Sequence, residues 1–278
     1  MTTTTTTPTR LAGHLELVCG LDARGQSSLR RQSFCAPAHL SKPHHDAGTL
    51  VVNLVNPTAG FLAGDRLRID VQVERGARLL LTAPSASRMH TMRGADCSDD
   101  EARAEVRQSF RVAGGGSLEW WPELLIPQRG ARLHQRTSIE LETGAELIFL
   151  ETLAPGRVAS GEVFAFDEIR WATDLRRGGR LLVRERFHLN QKNGSLDALR
   201  RQFPTAYYAS VLVVSPALAA LATLAGFDEA WIGVSKLAEG AFALKMLAPD
   251  SLTLRRQLAH WRVEIHRQLG RACPSLRR

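Results

Sequence analysis

Residues 151–164 read ETLAPGRVASGEVF, with Glu151 and Glu162 flanking Arg157 and two glycines between apolar runs. Three kinds of chemistry use such parts: a phosphate loop, a pair of catalytic carboxylates, or a turn between strands. No Gly-Lys-Ser/Thr follows and no helical pattern opens there, so a phosphate loop has no support. A carboxylate pair remains open. One acid would donate a proton while a second accepts one or attacks, as in glycosidases and lyases. Asp65, Glu151 and Glu162 are the acids for such a pair.

Other constellations are weaker. The chain has no G-x-S-x-G elbow. Ser85, Ser87 and His90 lie close in sequence, but triads are set by space and not by adjacency. His44, His45 and Asp46 offer metal-ligand types, yet neighbours on an extended chain point to opposite sides. His260 and His266 are six apart and fall on different helix faces, unlike the four-residue spacing that zinc favours.

The elements that must position these residues follow a repeated phrase. RGARLLLTAP begins at Arg75, GGGSLEWWPELLIP at Gly114 and TGAELIFLETLAPG at Thr143. Each runs from a glycine turn through an apolar strand to a proline, which cannot donate to a ladder. A segment of alternating polarity precedes each. Leu67, Ile69, Val71 and Val73 share one face of the first. Val106, Phe110 and Val112 share a face of the second, with Gln108 breaking the row. Leu133, Thr137, Ile139 and Leu141 do so in the third, with Gln135 as the exception. Period two predicts half-buried strands. Recurrence at roughly 30 to 40 residues predicts stacked, solenoid-like β layers or a distorted sandwich.

Residues 168–190 predict a hairpin turning at Gly178-Gly179. Beyond Phe203 the texture turns helical. Ser215, Pro216 and Gly226 bracket one predicted helix. A second starts at Asp250 or Ser251, carries Leu254, Leu258, Trp261, Ile265 and Leu269 on one face, and ends at Gly270. Arg255, Arg256, Arg262 and Arg267 are placed on its other, solvated face. The domain reading is a disordered Thr-rich tail over 1–10. A single mainly β domain then spans 11–278, with helices after about 204.

Composition bounds the class. The 278 residues are 44% hydrophobic and 23% charged, as in a globular protein with a sizeable core. No apolar run is long enough to predict a transmembrane helix, and MTTTTTTPTR does not read as a secretory signal. Four cysteines without a C-x-x-C pair fit a reducing cytoplasm. A net charge of +8 permits an anionic partner. Nucleic acid ranks last, because no aromatics interleave a basic strand and no Cys/His module exists.

Four stretches carry a resemblance to the urease accessory protein UreD (UreH) family. NPTAGFLAGDRLRIDV, from Asn56, is similar to its Asn-Pro-x-Gly-Gly…Gly-Gly-Asp segment. GARLLLTAPSASRMHTM, from Gly76, resembles the strand and Thr-x-Pro turn that follow. GGSLEWWPELLIPQRGARLHQRT, from Gly115, resembles its Leu-Glu-Trp-x-Pro segment. LETLAPGRVASGEVF, from Leu150, is similar to its Gly-Arg…Gly-Glu-x-Phe signature. The likeness runs from about Ser33 to Arg186 and more weakly through the C-terminal helix. Ala59 and Ala63 depart from family glycines, and RACPSLRR lacks the Pro-Arg-x-Trp ending.

The resemblance implies a non-enzymatic role. Such proteins bind apo-urease with UreF and the nickel-carrying GTPase UreG, and support nickel delivery to the urease active site. It implies a mainly β, helix-like stack of strands, no tightly bound cofactor, nickel in transit, and no membrane or nucleic-acid partner. Asp65, Glu151 and Glu162 are then the acids expected to line a nickel passage. A β-solenoid carbohydrate hydrolase or lyase using the same acids is the alternative.

Overall fold

The computed structural model describes residues 11–92, 102–221 and 230–276. The Thr-rich tail over 1–10 lies outside the described residues. In chain order the first strands are β1 (Ala12–Leu21), β2 (Ser27–Cys35), β3 (His39–Leu40), β4 (His44–Asp46), β5 (Thr49–Val55) and β6 (Arg66–Val73). Then come β7 (Arg78–Thr82), β8 (Ser87–Met89), β9 (Ala104–Val112), β10 (Ser117–Trp121), β11 (Leu125–Pro127) and β12 (Arg132–Leu141). The last are β13 (Glu146–Leu153), β14 (Glu168–Arg177), β15 (Arg180–Asn190), β16 (Tyr207–Val214), β17 (Trp231–Ala238) and β18 (Ala241–Ala248). Helices α1 (Ser195–Gln202) and α2 (Ser251–Gln268) complete a mainly β chain.

The strands form two sheets. One has seven strands in the order β15-β14-β12-β9-β6-β1-β2, and the other has eleven, with β17-β18-β16-β13-β10-β7-β5-β3 as its main path. From β5 to β14 the chain alternates between them: β6, β9, β12 and β14 are parallel in the first, and β5, β7, β10 and β13 are parallel in the second. Antiparallel strands flank both parallel cores: β2 and β15 on the first, β16, β18 and β17 on the second.

Each glycine phrase is a corner that moves the chain from one sheet to the other. Gly76, Gly115 and Gly144 all take positive φ, at 75°, 77° and 85°. A side chain there would strain the backbone. The corners stack directly, with Gly115 N–H donating to the Gly144 carbonyl at 3.1 Å. The strands after the corners are buried on both faces. In β13, Leu147, Phe149 and Leu153 face the core between the sheets, while Ile148 and Leu150 face a second core under α2. Two-sided burial replaces alternation with a continuous apolar run.

Helix α2 covers the eleven-stranded sheet with Leu254, Leu258, Trp261 and Ile265. Asp250 caps it, accepting the Leu252 and Thr253 N–H groups at 2.8 Å each. The hairpin at Gly178-Gly179 forms as predicted, between β14 and β15.

Three expectations need correction. The predicted helix from Ser215 does not form over 215–221, and its remainder lies outside the described residues. Ser215 Oγ accepts the Ala217 N–H at 3.1 Å and donates to Glu146 at 2.7 Å, so the capping signals close a turn after β16 instead. Helical structure also does not wait for residue 204: α1 precedes it, and three strands follow. Finally, Arg262 is not on the solvated face of α2 but is buried.

Candidate functional site

The parallel cores bring a polar layer into the space between the sheets. In the seven-stranded sheet, Gln108, Thr137, Thr173 and Glu185 are register neighbours across β9, β12, β14 and β15. Opposite them, Glu151, Ser210 and Lys245 are register neighbours across β13, β16 and β18. Apart from Gln135 and Tyr208, the inward positions beside this row are mostly apolar. Thr137 donates to Gln108 at 2.9 Å. Gln135 donates to Glu151 Oε1 at 2.8 Å, linking the sheets. Thr173 Oγ1 lies 3.4 Å from both Glu151 oxygens. Buried polar groups persist only when paired, and most of this layer is paired internally.

Glu151 is 7% exposed. Burial, then the nearby Glu185 charge, push its pKa up to about 7, against the opposing pull of Lys245, Thr173 and Gln135. It lines two cavities. One, of about 380 Å³, is lined by Gln108, Gln135, Trp120 and Glu151, and reaches the loop holding Asn56 and Thr58. The other, of about 230 Å³, is lined by Glu151, Thr173, Glu185, Tyr208 and Lys245, together with Arg184 and Arg186. Trp171 and Glu151 line both.

The structure does not gather the three predicted acids into one cluster. Asp65 is buried before β6, and its two oxygens accept the Leu11 N–H at 3.1 Å and the Leu62 N–H at 2.9 Å. It thereby holds the loop whose Gly60 and Phe61 line the larger cavity. Glu162 receives a two-pronged bond from Arg157, at 2.9 and 2.6 Å, and the Arg129 N–H at 3.1 Å. Arg157 holds its carboxyl below the usual range. The opening stretch is therefore a turn: Gly156 has φ 141°, and a Cβ there would collide with the Glu162 carbonyl oxygen.

Among the described residues no group of three or more His, Cys, Asp or Glu side chains could hold a metal ion. His45 bonds the Ser27 carbonyl at 2.7 Å, and Asp46 accepts the Ser275 N–H at 2.6 Å. A second buried polar group lies under α2. Arg262 donates to both Glu119 oxygens at 2.5 and 3.1 Å, and His266 Nε2 lies 3.1 Å from Glu119. Arg262 also holds the C-terminal segment through the Pro274 carbonyl at 2.7 Å.

Sequence reasoning missed Lys245, Glu185, Ser210 and the Glu119 cluster. Gln108 and Gln135 gave a signal, as polar interruptions of apolar rows. Lys245 gave a similar one, a lone charge in the apolar run AFALKMLA.

The model of the UreD urease accessory protein family matches residues 11–278. The chain belongs to the UreD family. It is similar to urease accessory protein UreD of Opitutus terrae, 41% identical over 276 residues, covering 96% of this chain and 97% of the relative. The Methylobacterium sp. UreD is 29% identical over 264 residues, covering 89% and 88%. The Deinococcus radiodurans UreD is 38% identical over 159 residues, covering 57% and 55%. UreD-family members are accessory proteins to an enzyme and not themselves enzymes. Of the three acids that the hydrolase alternative would use, Asp65 and Glu162 are committed to turns. No helix among the described residues is long and apolar enough to cross a membrane.

Proposed function

We propose that this UreD-family chain is a metallochaperone scaffold that binds apo-urease together with UreF and UreG in the cytoplasm. In this reading nickel is cargo, passing between the two sheets with no tightly bound cofactor, and the parallel winding is of the β-helix kind. Glu151 carries the passage. Asp65 and Glu162 support it by fixing the turns around it. The single observation behind this is that the buried Glu151 carboxylate lines both of two cavities. A carboxylate with few other ligands suits transit, since weak sites release a borderline cation that a full cage would keep.

The test is urease activity per mole of assembled complex across a nickel titration. Glu151→Gln should keep co-purification with UreF while lowering activation at limiting nickel. Equal curves for wild type and variant would reject the passage. Failure of the chain to retain UreF or apo-urease would reject the scaffold.

A further inference from the structure

The smaller cavity holds a cation of the protein's own. Lys245 rises from β18, one strand beyond Ser210 and two beyond Glu151 in the same register row. Its Nζ donates to Glu185 in a short contact, to Ser210 Oγ at 3.0 Å and to Tyr208 Oη at 3.1 Å. Nζ also lies 5.8 Å from the Tyr208 ring centroid. Glu185 comes from the opposite sheet, beside Thr173, which itself touches Glu151. Two carboxylates from facing sheets thus share one cavity with one ammonium, while Arg184 and Arg186, which also line it, are paired with Asp174 at 3.4 and 2.8 Å.

We propose that the Lys245 ammonium is a resident counter-ion for the Glu151–Glu185 pair, which an incoming divalent cation must displace, so that the pair passes the cation on instead of trapping it. This rests on the passage reading above. Without the ammonium, two acidic side chains in one half-open cavity would attract a divalent cation, most strongly at the buried Glu151, where charge is poorly screened. With it, each cation that arrives must expel a bound charge. Each cation that leaves is replaced by a tethered one needing no diffusion. Lys suits the task better than Arg, being a compact charge on a flexible stem that can swing aside. Tyr208 and Ser210 supply the neutral partners between which it moves.

The experiment measures nickel(II) binding to the purified full-length chain by equilibrium dialysis at neutral pH. Lys245→Met should bind nickel at least about tenfold more tightly than wild type, or 1.4 kcal/mol. Adding Glu185→Gln or Glu151→Gln to Lys245→Met should abolish that gain. Where the methionine variant fails to fold, Lys245→Gln keeps a hydrogen-bonding head and should give the same direction. Unchanged or weaker affinity in a folded Lys245 variant overturns the counter-ion role, as does a gain that survives both Glu→Gln changes. The two readings fail separately. Tightening with no effect of Glu151→Gln on urease activation would sink the passage and keep the counter-ion. Loss of activation in Glu151→Gln without tightening in Lys245→Met would do the reverse.

Discussion

Glu151 and Lys245 occupy one register row of the eleven-stranded sheet, separated by Ser210, and both face the gap between the sheets. The buried acid and the half-exposed base, two strands apart, bound the polar layer that interrupts a core packed mainly with Leu, Val and Phe.

The three acids should separate in their effects. Glu151→Gln is expected to lower urease activation at limiting nickel while leaving assembly intact. Glu162→Gln is expected to leave activation unchanged. Arg157 is 45% exposed, so water replaces much of the lost charge pair and stability should change little. Parallel nickel titrations and urea unfolding of both variants check this.

Glu151 should make stability fall as pH rises. Its folded pKa is raised from 4.5 to about 7. The unfolded chain therefore loses this proton first, and each further step in pH favours unfolding. The favourable contribution is complete below 4.5 and is lost as pH climbs through about 7. Between pH 5.5 and 8.5 wild type should lose about 2 kcal/mol relative to Glu151→Gln. Urea denaturation at the two pH values measures the difference. A constant difference would show that Glu151 titrates normally.

Arg262→Met should destabilise strongly. Glu119 is 3% exposed and would be left with a buried charge and only His266 for a partner. Breaking one side of such a pair costs about 3–5 kcal/mol. The double variant Arg262→Met with Glu119→Leu should recover much of the loss, since no orphaned charge remains. Thermal unfolding of the three proteins distinguishes these outcomes.

Asp250→Ala should cost about 1 kcal/mol by removing the cap from two backbone donors of α2. Asp250→Asn should cost only a few tenths, because its side-chain oxygen still accepts. Circular dichroism melts give the ranking.

Much was legible in the sequence because it is local. Period-two alternation determined β6, β9 and β12. Gly76, Gly115 and Gly144 determined the corners, since only a residue without Cβ enters positive φ freely. Asp250 and the spacing of Leu254, Leu258, Trp261 and Ile265 determined α2. Tertiary structure decided the rest. Ser215-Pro216 carries helix-start chemistry, yet Glu146, 69 positions earlier, takes the Ser215 hydroxyl. Arg262 looks like surface until Glu119, 143 positions away, is set beneath it. Asp65, Glu151 and Glu162 look alike along the chain, but two bind backbone turns and one lines two cavities. That last distinction depends on the facing sheet. A residue's type fixes the bonds it can make, but which partners reach it is settled only when strands distant in sequence are brought into register.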